Sequence, residues 1–130
     1  MLDLKSHNFK VGMYIRLSRE DGDKQESESI GNQRNILQRY VKENDLCFVK
    51  EYVDDGVSGT TFDRPGFSEM IQDIENGTIN MVITKDLSRL GRDYIKTGFY
   101  IEDYFPKNNV RYVAITDGID TYLDSTNNDI

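Results

Sequence analysis

Residues 80–115 read NMVITKDLSRLGRDYIKTGFYIEDYFPKNNVRYVAI, and this stretch decides the fold. NMVIT (80–84) is a short apolar run with β-branched residues, which predicts a strand. KDLSRLGR (85–92) predicts a turn. Asp93 can cap a helix carrying Tyr94, Thr97, Gly98, Ile101, Tyr104 and Phe105 on one face, and Pro106 predicts its end. VRYVAI (110–115) predicts another strand. Strand, loop, helix and strand in one short stretch is the unit of a parallel sheet, because parallel neighbours need a crossover connection.

Working back toward the N-terminus, the same alternation continues. VGMYIR (11–16) predicts a strand. Ser29 can cap a helix in which Ile30, Ile36, Leu37, Tyr40 and Val41 form one apolar face, ended by Asn44-Asp45. CFVKEYV (47–53) predicts a second strand, and DDGVSGTTFDR (54–64) a loop. Pro65 suits the first helical position, Phe67, Met70, Ile71 and Ile74 recur at helical spacing, and Gly77 suits the end. The expected fold is α/β, a mostly parallel four- to five-stranded sheet with helices on both faces. Its functional loops belong at the carboxyl ends of the strands.

The flanks differ in composition. Residues 1–10 are polar and predict a mobile arm, and residues 11–118 the folded domain. Residues 17–28 carry Glu20, Asp21, Asp23, Glu26 and Glu28 and predict a solvated loop. Residues 119–130 predict an acidic tail, with no closing helix after the fourth strand, as in a piece of something longer.

Composition limits the chemistry. The 130 residues hold 16 Lys+Arg against 23 Asp+Glu, a net charge of −7. One domain is expected, long enough to bury roughly two-thirds of its unfolded surface without a disulfide or metal. No window approaches the ~20 apolar residues of a membrane span. Cys47 is the single cysteine, which excludes an intramolecular disulfide and suits a reducing cytoplasm. His7 is the single histidine, which argues against multi-His metal sites. The acidic balance argues against sequence-blind nucleic-acid binding, which needs clustered Lys and Arg.

Four of the eight arginines tell against a uniformly acidic surface. Arg16 ends the first strand, Arg64 closes the loop after the second, and Arg89 and Arg92 follow the third. In a doubly wound sheet these strand ends converge on one crevice, where like charges repel unless an anion compensates them. Guanidinium forks suit phosphate. Ser18, two residues after Arg16, is a candidate nucleophile toward phosphorus beside the ordinary reading of a solvent-facing or capping serine. Asp54, Asp55, Asp86 and Asp93 could in principle bind Mg²⁺. Asp86 and Asp93 have basic neighbours in the sequence, however, and Asp93 reads better as a cap and Asp54-Asp55 as turn formers. GVSG (56–59) lacks the Lys-Ser/Thr of a nucleotide phosphate loop.

These residues resemble a known family. YIRLS (14–18) resembles the Y-x-R-x-S motif of serine recombinases, the resolvase/invertase superfamily. SIGNQ (29–33) resembles the helix start carrying that family's glutamine. DGVSG (55–59), DRPG (63–66) and LSRLGRD (87–93) resemble its next three segments, in family order. The resemblance implies attack of Ser18 on a DNA phosphate to give a 5′-phosphoserine link and a free 3′-hydroxyl, without metal or other cofactor. Arg16, Arg64, Arg89 and Arg92 would hold the phosphate, and Gln33, Asp55 and Ser58 would support the site. It also implies double-stranded DNA as partner and self-association to a dimer and a synaptic tetramer in a full-length protein.

Ser88 stands where many small resolvases have Asp, with Asp86 two residues earlier, so Asp86 or Ser88 would do that work. The acidic insertion and the KDLSRLGRDY spelling look like large serine recombinases of the transposon-integrase type. Their long helix and DNA-binding region would follow residue 130, and an isolated catalytic piece should not recombine DNA alone. The rival reading is a non-catalytic or regulatory module that takes a phosphorylated ligand in the same crevice.

Overall fold

A computed structural model describes residues 9–17 and 29–122. Ser18, the acidic loop from residue 18 to 28, His7 and the N-terminal arm up to residue 8, and the acidic tail from residue 123 on, lie outside the described residues. Strand β1 (Lys10–Leu17) is buried along its whole middle, as a strand covered on both faces should be. Helix α1 (Ile30–Glu43) begins at Ser29, whose hydroxyl accepts the Asn32 N–H at 3.0 Å. Strand β2 (Cys47–Asp55) runs two residues past the expected end at 53 and takes in the Asp54-Asp55 pair, which is therefore strand rather than turn. Helix α2 (Pro65–Glu75) has proline in its first turn, and Gly77 follows in the left-handed region at φ 78°.

Strand β3 (Met81–Thr84) is fully buried. The expected turn after it contains one helical turn, α3 (Leu87–Leu90), because the Asp86 carboxylate caps it by accepting the Arg89 N–H. Asp93 caps α4 (Tyr94–Phe99) through the Ile95 and Lys96 N–H groups. The same helix continues through a π turn (Tyr100–Tyr104) into α5 (Phe105–Lys107).

Pro106 thus sits inside the last turn instead of ending the helix before it. The wide turn explains this, since the Phe105 N–H already reaches back five residues to the Tyr100 carbonyl. Tyr94 also departs from expectation: it stands 92% exposed, off the buried face that Thr97 and Phe105 share. Strand β4 (Arg111–Ala114) is followed by β5 (Ile119–Asp120) after a turn at Gly118, φ 69°. The sheet therefore extends beyond the boundary expected at 118. The Arg111 guanidinium fastens β5 by bonding both Asp120 carboxylate oxygens at 3.0 and 2.7 Å.

The sheet order is β2-β1-β3-β4-β5, parallel except for the β4–β5 pair. One face packs Val11, Met13, Ile15, Met81 and Ile83 against Leu37 of α1. The other packs Tyr14, Tyr52, Val82 and Tyr112 against Phe67, Met70 and Ile74 of α2 and Phe105 of α5. Helices thus cover both faces. The chain leaves β1 for β2 on one side and returns to β3 on the other, so strand order reverses between β1 and β3. Such reversals leave a crevice at the strand carboxyl ends, here at Leu17 and Thr84.

Candidate active site

Tyr14 and Arg16 lie two apart on β1 and project to the same face, because strand side chains alternate. Arg16 is fully buried. Its Nε donates to the Arg89 carbonyl at 3.2 Å, Nη1 to the Val57 carbonyl at 2.9 Å, and Nη2 to the Ser88 carbonyl at 2.5 Å. Arg64 is equally buried. It donates through Nε to the Thr61 carbonyl at 2.6 Å, Nη1 to the Tyr14 hydroxyl at 2.9 Å, and Nη2 to the Leu90 carbonyl at 2.7 Å. Three successive carbonyls of α3 (88, 89 and 90) therefore accept from two guanidiniums. These are the carbonyls a short helix leaves unpaired at its carboxyl end, where cations are favoured.

Arg89 returns the contact. Its Nη1 donates to the Arg16 carbonyl at 2.7 Å, and the buried Gln33 side chain donates to the same oxygen at 3.1 Å. The Arg16 carbonyl, two residues before Ser18 in the sequence, is thus held from α1 and from α3 at once. On its other edge Arg89 donates to the Ser88 hydroxyl at 3.1 Å from Nη2, and that hydroxyl donates to Asp86 Oδ1 at 2.6 Å. The Asp86 carboxylate lies 3.6 Å from Arg89 Nε. Ser88 and Asp86 together thus present a carboxylate to Arg89 through one hydroxyl.

Arg92 stands exposed at the rim, with its backbone N–H donating to the Gly59 carbonyl at 2.7 Å. Gly59 has to be glycine, since a Cβ there would stand 2.6 Å from Arg16 Nη2 and 2.7 Å from Arg92 Cγ. The structure therefore brings Arg16, Arg64, Arg89, Gln33, Ser88 and Asp86 together, with Arg92 beside them. Asp55 is exposed at the end of β2, its backbone paired with Leu17. Ser58 turns its hydroxyl into its own loop, where it meets the Thr60 hydroxyl at 2.9 Å. The part of that loop that touches Arg16 is the Val57 carbonyl.

Burial pushes the Arg16 pKa down to about 10, and the neighbouring charges of Arg89 and Arg64 add to the effect. Positive charge is crowded here at a free-energy cost that an arriving anion offsets. Among the described residues no three His, Cys, Asp or Glu side chains gather as a metal site would require. The acids weighed for metal lie apart: Asp86 and Asp93 cap helices and Asp54 is occupied by protein donors.

The sequence places Tyr14 within YIRLS and reads Asp54 as a turn former, without showing their contact. Tyr14 donates its hydroxyl to Asp54 Oδ2 at 2.8 Å while accepting from Arg64. Asp54 also accepts the Gly66 and Phe67 N–H groups at 2.8 and 2.9 Å. The available signal was the period of two along β2, which buries Tyr52 and Asp54 and exposes Asp55.

A reversed strand order with a buried arginine cluster at the reversal defines a resolvase-like α/β domain. The chain belongs to the resolvase N-terminal domain family, whose model matches residues 11–129. Its fold is similar to the N-terminal catalytic domain of TP901-1 integrase, at 31% identity over 87% of this chain and 82% of that one, TM-score 0.79. A resolvase family site-specific recombinase from Streptococcus pneumoniae is 27% identical over 86% and 75%, TM-score 0.69. The first open reading frame of transposon ISC1904 from Sulfolobus solfataricus P2 is 30% identical over 80% and 65%, TM-score 0.59. The chain is a serine recombinase catalytic domain, and site-specific DNA recombination is the function at the level of the family.

Proposed function

We propose that this domain cleaves and rejoins double-stranded DNA through a covalent link to Ser18. The Ser18 Oγ attacks the scissile phosphorus, the bond from phosphorus to the 3′-oxygen breaks, and a 5′-phosphoserine forms. The serine proton is lost and the 3′-oxygen gains one, so the products are the adduct and a 3′-hydroxyl. Attack of a 3′-hydroxyl on the phosphoserine reverses the step and reseals the strand. No metal or nucleotide enters this balance.

The observation that carries the reading is the convergence of Arg16, Arg64 and Arg89 near the end of β1, with Ser18 two residues after Arg16 in the sequence. Fixed cationic donors beside a nucleophile stabilise the extra charge of a five-coordinate phosphorus without reorganising at the moment of reaction. Arg92, exposed at the rim, would meet the backbone of incoming DNA. Gln33 and Arg89 fix the Arg16 carbonyl, two residues before Ser18 in the sequence. In this reading the domain carries the phosphate step, and exchange between two sites requires a dimer and then a tetramer. The cytoplasm is the proposed setting.

The test uses protein expressed from the complete coding sequence and a nicked substrate that traps the cleaved state. A covalent protein–DNA adduct is expected, absent in Ser18→Ala. An adduct that persists in Ser18→Ala overturns the assignment.

A further inference from the structure

Arg64 owes its place to a residue that never faces the crevice. Its three hydrogen-bond acceptors are uncharged, two carbonyls and the Tyr14 hydroxyl. Behind that hydroxyl stands the Asp54 carboxylate, itself buried. Oδ1 accepts the Gly66 N–H, and Oδ2 accepts both the Phe67 N–H and the Tyr14 hydroxyl. Gly66 and Phe67 open α2, immediately after Arg64, whose own backbone is the extended residue preceding the helix. Asp54 therefore grips Arg64 twice, through the backbone that follows it and through the hydroxyl that meets its guanidinium.

Three further observations single this contact out from ordinary helix capping. Burial, the largest influence, raises the Tyr14 pKa, so the hydroxyl keeps its proton and donates it to Asp54, leaving its oxygen to accept from Arg64. Gly66 leaves the room the carboxylate occupies, for a Cβ there would stand 2.9–3.0 Å from Asp54 Oδ2, Cγ and Oδ1. The guanidinium is confined on its faces as well, 4.3 Å from the Phe62 ring centre and 5.2 Å from that of Phe67.

We infer that Asp54 is a positioning residue for DNA cleavage, setting Arg64 through the Tyr14 hydroxyl and the first turn of α2. This rests on the recombinase reading above. Losing the link leaves Arg64 in place in the sequence but lets its guanidinium shift. A displacement of about 1 Å in a reacting geometry lowers rate by roughly 10²-fold.

The experiment measures adduct formation and DNA affinity for Asp54→Asn and Tyr14→Phe in the protein from the complete coding sequence, with Ser18→Ala as control. Tyr14→Phe keeps the ring and serves if Asp54→Asn does not fold. The expected result is an adduct rate lowered by about 10- to 100-fold with DNA affinity unchanged, at a temperature where circular dichroism shows the variant folded. Adding Tyr14→Phe to Arg64→Ala should cause no further loss, because the hydroxyl acts only through Arg64. Wild-type rates in a folded Tyr14→Phe, or a fully additive loss in the double variant, overturn the inference while the recombinase reading stands. Absence of a Ser18-dependent adduct in the wild type overturns both.

Discussion

Gly66→Ala is the sharpest structural perturbation available at the site, and Gly98→Ala is its matched control. At position 66 the new methyl would lie 2.9 Å from Asp54 Oδ2 and 3.0 Å from Oδ1. Asp54 cannot swing aside without breaking its bonds to Tyr14, Gly66 and Phe67. Overpacking at a site that cannot relax costs about 1–3 kcal/mol. With ~2.1 cal/mol/K of unfolding entropy per residue over 130 residues, each kcal/mol corresponds to about 4 °C. Gly66→Ala should therefore melt about 4–11 °C below the wild type.

Gly98, in α4, has nothing within 4 Å of its missing Cβ, so alanine there gains helix propensity unopposed. The expected gain is about 0.5–1 kcal/mol, or a rise of about 2–4 °C. Thermal unfolding followed by far-ultraviolet circular dichroism reads both. Shifts of the same sign, or a Gly66→Ala variant within 1 °C of wild type, would refute the crowding around Asp54.

Two predictions follow from other parts of the molecule. Tyr14, Tyr52 and Tyr112 are buried with pKa values raised chiefly by that burial, so above pH ~10 the unfolded chain loses protons that the folded one keeps. Stability should therefore fall by about 1.4 kcal/mol per pH unit for each. The lowered pKa of Arg16 acts oppositely above about 10, as one group against three. Urea unfolding at pH 9, 10 and 11 checks this, and a constant midpoint would refute it. Ser88→Ala removes the hydroxyl between Asp86 and Arg89. It should slow adduct formation by up to about 10²-fold at unchanged DNA affinity, and a wild-type rate would show that the link has no part in cleavage.

Much of the fold was legible because the strands and helices announce themselves in period and punctuation. Ser29 capped where a serine before an apolar helical face should, and Pro65 and Gly77 bracketed α2. The misplaced details share a cause, which is that tertiary contacts overrode local signals. Pro106 is normally a stop, but the π turn before it had already moved the hydrogen-bonding partner. Residue pairs such as Asp54-Asp55 read as turn formers until the pairing of β2 with β1 assigns one to the core and one to solvent. β5 was invisible because two residues carry no period, and its stabilising ion pair with Arg111 joins two strands.

The arginine cluster was legible as a convergence, and its direction was not. Spacing placed four guanidiniums near one crevice, with the implied picture of donors pointing outward at a phosphate. Arg16 and Arg64 instead direct donors inward at loop and α3 carbonyls, which no spacing rule could show, because the receiving turn was not expected to be helical.

The inward direction changes how mutations at the site must be read. Arg16 and Arg64 tie β1, the start of α2 and α3 to one another, so the groups that supply positive charge are also the groups that fix the geometry. Truncating Arg64 would remove a charge, leave the buried Leu90 carbonyl without its present donor at a cost of about 1–3 kcal/mol, and free the part-buried Thr61 carbonyl as well. A lost cleavage activity in Arg64→Ala would therefore mix charge with folding. Tyr14→Phe separates them: it leaves Arg64 bonded to both carbonyls and its charge unchanged, and removes only the hydroxyl by which Asp54 reaches it. The net charge of −7 fits the same logic, since an acidic surface and a cationic interior turn are compatible when the arginines are held beneath carbonyls. Sequence-wide charge describes long-range attraction to DNA, whereas the phosphate step depends on a few fixed donors at one strand end.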